Sequence, residues 1–180
     1  MASGGWVARG LANVRSESIE LTAVPASPVG DHSWYLERAG FAWGGMGVAA
    51  VWYGGAVALA RTLREKLGSR EPDQIGLMLL GETDVLLHGC RRVLASAAAD
   101  VDAGAGHPAL LSQRVRSTVS SAAERVMTIV GHAMGPAPLA LDERHARRVA
   151  DLALYLRQDH AERDLAALGA QVLQLDETPW

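Results

Sequence analysis

Cysteine occurs once, at Cys90, which excludes an internal disulfide and a thiolate metal cluster and suits a reducing cytosol. Excess positive charge is also missing. The 17 Lys and Arg stand against 20 Asp and Glu, for a net charge of −3, and the arginines are scattered, so no basic footprint for a nucleic acid exists. The amino terminus, MASGGWVARG, has no basic stretch followed by a compact apolar one, and no secretory signal is expected. No internal repeat or low-complexity tract is found. The 180 residues fit one domain, which at that size buries about 70% of its extended-chain surface.

Charge is absent altogether from residues 41–60, FAWGGMGVAAVWYGGAVALA, with Glu37 and Arg38 just before and Arg61, Arg64, Glu65 and Lys66 just after. A helix of that length can cross a bilayer. Its composition points elsewhere: five Gly and six Ala against one Leu, one Phe and three Val give little insertion energy but let backbones approach closely. The run is read as the central helix of a soluble α-bundle, buried on all sides by neighbours with apolar stripes of their own. A membrane association is not expected.

The fold expected is mainly α: a four- to five-helix up-down bundle over residues 37–180, preceded by a short β-hairpin and linker over residues 1–36. The alternation in Ser18-Ile19-Glu20-Leu21-Thr22-Ala23-Val24 suits a half-buried strand, and residues 6–14 could pair with it. Residues 25–30, with two prolines and a glycine, form the connector. The first long helix is expected over residues 41–67. A second follows Pro72, capped by Asp73, with a stripe of Ile75, Leu79, Glu82, Leu86, Cys90, Val93 and Ala97. A third begins with Pro108 at its first position and carries Leu111, Val115, Val119, Ala122, Val126, Ile129 and Ala133, ending at Gly135-Pro136-Ala137-Pro138. A fourth runs from Asp142 to Arg157, and a fifth segment with Ala161, Leu165, Leu168, Val172 and Leu175 continues it, with or without a break.

Several residue groups have the chemistry of a site. Gly45-Met46-Gly47-Val48-Ala49-Ala50 matches a dinucleotide fingerprint in letters, without the strand that should precede it, and reads as close helix packing. Arg157, Asp159, His160, Glu162, Arg163 and Asp164 crowd eight positions between apolar flanks. His160 and Asp164, four apart, either orient an imidazole for proton transfer or form an exposed ion pair. As metal ligands they are half a site, and no metal is expected. His132, beside Gly131, either donates to a ligand phosphate or satisfies helix-end carbonyls. Glu82 lies either at the edge of its stripe or buried against Arg91 or Arg92. Trp34, Tyr35, Trp43, Trp52 and Tyr53 gather around the first long helix as core, subunit contact or substrate wall.

LTAVPASPVG, the uncharged helix, GHAMG and the closing RRVADLALYLRQDHAERDLAALG, in that order, resemble the C-terminal part of flavin-dependent acyl-CoA dehydrogenases. The resemblance is one of order and texture over nearly the whole chain. It implies that residues 1–30 end a β-domain, that the remainder is the family's helical bundle, and that FAD is the cofactor of an oxidation at the CH–CH group of an acyl thioester. The family's flavin-proximal glycine pair aligns with Gly131-His132, where one glycine is replaced. Its Arg-x-Phe-Gly contact falls on Glu65-Lys66-Leu67-Gly68, without the arginine or the phenylalanine. Its Tyr-Glu-Gly falls on Gln158-Asp159-His160, which makes Asp159 or His160 the candidate base, with Arg157 as a substrate or flavin contact. Because the family's N-terminal domains have no counterpart here, the resemblance implies a chain inactive by itself: a homo-oligomer, one joined by a chain supplying the missing part, or a remnant or truncated product that keeps only the bundle. Two alternatives accompany it: a flavin-dependent monooxygenase of the same fold, and a non-catalytic helical self-association module.

Overall fold

The computed structural model describes residues 5–14 and 16–180, without the side chain of residue 39; residues 1–4 and 15, which belong to the expected N-terminal unit, lie outside the described residues. The fold is mainly helical, with 70% of residues in helices. The described helices are α1 (Trp34–Glu37), α2 (Ala39–Gly68), α3 (Gln74–Asp102), α4 (Pro108–Met134), α5 (Ala137–Leu141), α6 (Glu143–Tyr155) and α7 (Glu162–Val172), with a 3-10 turn at Leu156–Gln158 after α6.

The expected N-terminal hairpin is not formed: no strand occurs among the described residues. Residues 16–24 are exposed and irregular, with a bend at residues 22–23 where Ala23 has φ 51°, and their intended partner is used otherwise. The stretch around Gly10 turns and lies against α6, where the Leu11 N–H donates to the Asp151 carboxylate at 2.5 Å. A Cβ at Gly10 would collide with the Ala150 carbonyl, so only glycine allows this approach.

Local chemistry marks several of the helix ends. Asp73 caps α3, its Oδ1 accepting from the Gly76 N–H at 2.7 Å. Pro108 opens α4 and Gly135, at φ 68°, closes it. Asp142 caps α6 by accepting from the His145 N–H at 3.1 Å. The first long helix, expected over residues 41–67, begins two residues earlier at Ala39, ends one residue later at Gly68 and is capped at Ser69.

Helices α2 and α4 form the central pair; α3 lies against both, α6 against α2, and α7 against α4. On α2, Met46, Ala49, Trp52, Ala56, Leu59, Leu63 and Leu67 are buried, a single stripe at spacings of three and four. On α4 the facing stripe is Val115, Val119, Ala122, Val126 and Ile129, in agreement with the sequence pattern. Trp52, Leu59, Leu63 and Ile129 are fully enclosed. Each such side chain stabilises the fold by about 1.5–3 kcal/mol relative to exposure.

The expectation that residues 41–60 are enclosed all round is not met. Only a third of the most apolar window of this helix is buried, and Val51 is 56% exposed. Helices α3, α4 and α6, with α1 at its start, pack against this helix and leave residues such as Val51 uncovered. Two of its glycines do serve close packing: a Cβ at Gly45 would stand 3.0 Å from Ser112 Oγ, and one at Gly55 3.0 Å from Leu152 Cδ1. Gly44, Gly47 and Gly54 face open space. The dinucleotide-like letters at 45–50 lie inside α2, whose first turn is spent six residues earlier, so no free backbone N–H groups are available there for a phosphate.

Candidate functional site

The segment richest in charge in the sequence folds as a break rather than a continuous helix. After α6 the chain tightens into the 3-10 turn, leaves helical geometry at Asp159 and re-enters it at Glu162. Ala161 at the junction has φ 48° and ψ −110°, a positive-φ conformation that alanine adopts only under constraint from its surroundings. Asp159, His160 and Arg157 therefore sit on a corner beside α4.

Asp159 turns inward. Its Oδ2 accepts from Ser120 Oγ on α4 at 2.8 Å, while its Oδ1 is buried without a hydrogen-bond partner. Ser117, one turn before Ser120, also has a buried hydroxyl without a partner. The corner is fastened from below by Arg116, whose guanidinium donates to the Gln158 carbonyl at 2.9 Å and to the Gly45 carbonyl on α2 at 3.3 Å. The same guanidinium stacks on Trp52, 4.8 Å from the ring centroid. Trp52 in turn meets Tyr155 edge to face at 6.2 Å.

His160 turns outward, with its side chain 69% exposed. It precedes α7 instead of lying on it, so the expected helix-face pair takes another form: Asp164 accepts from the His160 N–H at 3.1 Å and meets Nδ1 at 3.3 Å. Asp164 thus secures the entry into α7. Arg157 points to the far side of the corner and pairs with Glu124 of α4. It also lines, with Trp6, Leu11 and Tyr155, a cavity of about 560 Å³ between the N-terminal segment and α6. The indole N–H of Trp6 is buried without a partner.

Gly131 and His132 are exposed in the last turn of α4. Eleven residues separate Ser120 from Gly131, so about 16 Å along the helix lies between the Asp159 corner and the candidate flavin contact. The structure brings Arg157, Asp159 and His160 to one corner beside the middle of α4 and leaves Gly131 and His132 in that helix's last turn.

Ser117, Ser120, Arg116 and Glu124 were not singled out from sequence. The available signal was a polar residue on or beside an otherwise apolar stripe, since Ser112 and Ser120 are buried on α4 among valines and alanines. His145 was missed as well: it is buried on α6 with Nδ1 lacking a partner.

Glu82 has a partner other than the arginines on its own helix. Arg125 of α4 grips it with two hydrogen bonds, Nε to Oε1 at 2.6 Å and Nη2 to Oε2 at 2.9 Å. Those hydrogen bonds hold the Glu82 carboxyl below its ordinary value against a smaller opposing effect of desolvation, and raise Arg125 in return. Burial raises the Cys90 thiol above its ordinary value.

Chemically, Asp159 is a carboxylate with one oxygen fixed and the other uncommitted, which is what a positioned proton acceptor requires. His160 and Arg157 are exposed groups already engaged with carboxylates. Groups of three or more residues able to hold a metal ion are absent among the described residues. No protein-family model, curated protein or solved structure matches this chain.

Proposed function

We propose that the chain is a helical-bundle module of the acyl-CoA dehydrogenase type, active on an acyl thioester with FAD only when a partner completes it. Asp159 carries this reading. It occupies the position given to the family's base, in a break between two helices, with Ser120 fixing one oxygen and the other left without a hydrogen-bond partner. Asp159 rather than His160 is the proton acceptor in this proposal, because His160 is turned outward onto Asp164. Arg157, freed from Glu124, is the substrate contact, and Gly131 and His132 approach a flavin shared with the partner. The need for a partner is supported by the uncovered face of α2, whose residues 40–58 present no charged side chain.

The test is to recover the tagged chain under mild conditions with whatever polypeptide it holds and to record its flavin spectrum. A bound flavin that bleaches on adding acyl-CoA, and fails to bleach in Asp159→Asn, supports the proposal. A colourless complex overturns it.

A second reading, a self-association module without catalysis, is favoured by Gly44, Gly47 and Gly54. Each costs helix stability, and nothing within the chain approaches their missing Cβ atoms. Close approach of a second helix is a use that gives them a reason. Gly54→Leu should then break the oligomer, measured as molar mass in solution. Gly55→Leu is unsuitable for that purpose, since Leu152 already fills the space beside Gly55.

A further inference from the structure

Helices α3 and α7 both rest on α4 and leave between them a cleft of about 620 Å³. On α3 the Cys90 thiol faces the Thr118 carbonyl and Glu82 meets Arg125, so α3 runs antiparallel to α4. Gln171 meets Gln113 and Asp159 meets Ser120, so α7 does the same. The cleft therefore follows α4 from Arg114 to Ala122, about 12 Å, with Val93 and Leu168 beside the Arg114 end and Val85 and Leu86 toward the other.

Its chemistry is lopsided. Arg114 is the only charged residue that lines the cleft; it is partly buried and makes no ion pair among the described residues. Ser117, three residues on and so on the same face of α4, has a buried hydroxyl without a hydrogen-bond partner. It stands one turn before Ser120, which places the cleft directly beside the Asp159 corner. Thr118 and Ser121 are exposed and keep their hydroxyls in water. The far end is apolar, with Val85 72% exposed, and the next charges along the helices, Glu82 and Arg125, are spent on each other. Gly89 keeps the cleft open: a Cβ there would meet nothing within 4 Å, although glycine weakens a helix interior.

A guanidinium presents a planar fork to a two-oxygen anion, and the Ser117 hydroxyl can donate beside it. An extended peptide would strand its amides against these walls, because the backbone groups of the three helices are already bonded to one another. An aliphatic chain strands nothing. At roughly 1.2 Å per bond of an extended chain, 12 Å takes about ten carbons.

We propose that this cleft binds a single-chain aliphatic carboxylate of about eight to ten carbons, its head on Arg114 and Ser117 and its chain passing between Val93 and Leu168 toward Val85 and Leu86. This goes beyond the flavoenzyme reading and requires neither flavin, thioester nor a completing chain.

The experiment titrates decanoate into the full chain, without flavin, by calorimetry. One site per chain is expected, tightening roughly tenfold for each two carbons from hexanoate to decanoate and levelling once the chain outruns the cleft. Arg114→Gln should weaken decanoate binding by roughly tenfold or more, and decyltrimethylammonium, of opposite charge, should bind more weakly than decanoate by a similar factor. Gly89→Leu should fill the cleft and abolish the site without lowering the midpoint of thermal unfolding. Absence of saturable decanoate binding overturns the proposal, whether the cleft stands empty or is filled by another copy or by the chain's own end. Binding indifferent to either substitution overturns it too, as does an affinity that keeps rising through tetradecanoate, the mark of unspecific partition onto apolar surface.

Discussion

Replacing Gly44, Gly47 and Gly54 together by alanine should make the isolated chain more stable. All three lie inside the 30-residue α2, and an added Cβ meets nothing within 4 Å at any of them. Glycine in an exposed helix interior is about 0.8–1 kcal/mol less favourable than alanine, because its backbone loses more freedom on folding. With no shared partner the three effects add to roughly 2–3 kcal/mol. For a chain of this size that raises the midpoint of thermal unfolding by about 5–10 °C. The assay is thermal unfolding followed by circular dichroism at a concentration dilute enough for monomer, checked by urea unfolding with an unchanged m-value. Gly45→Ala and Gly55→Ala are the controls: their new methyl groups would press at 3.0 Å on Ser112 and Leu152, and should gain less or lose. A drop in the triple variant's midpoint at every dilution would refute the reasoning, because it would mean that the outer face of α2 is already covered within one chain.

Gly10→Ala should release the N-terminal segment from α6, since the new methyl collides with the Ala150 carbonyl; limited proteolysis within residues 5–14 should accelerate while the helical signal stays. Trp52→Ala empties the centre of α2, where the ring is fully buried and contacts Tyr155 and Arg116. It should cost about 3–5 kcal/mol in urea unfolding. The Glu82 carboxyl is held below its ordinary value in the folded chain, so its contribution is present above the usual carboxylate range and disappears as pH falls through the lowered value. Glu82→Gln should therefore narrow the stability difference between neutral and acid pH, read from unfolding midpoints across that range. The burial-raised thiol of Cys90 should alkylate more slowly than a free cysteine at neutral pH and recover that rate upon denaturation.

The long helices were legible because period and punctuation agreed. Asp73, Pro108 and Gly135 stand where the chain starts and stops, and the α4 stripe from Val115 to Ile129 is the buried one. On α3 the stripe was read from the wrong residue at its start: Ile75 is 60% exposed, while Gly76 and Thr83 are buried beside it. Small residues carry little hydropathy, so a stripe that uses them is displaced toward its larger neighbours. The same weakness affected α2, where an absence of charge was taken for enclosure, although glycine and alanine are as tolerable facing outward as inward. The β-hairpin failed for a different cause. Alternation from Ser18 to Val24 specifies a strand only when a second strand is present to receive it, and Gly10 is committed to α6. At the site, crowding of charge marked the corner at Asp159, but Ser120 and Arg116 come from residues about forty positions away and had no local signature.

Arg116 is a linchpin between distant parts of the molecule. One planar cation clasps a carbonyl of α2, stands over an indole of the same helix and holds the carbonyl immediately before Asp159. If α2 swivels about its long axis, the cation cannot keep both carbonyls, so a turn of that helix is felt one residue away from the Asp159 carboxylate.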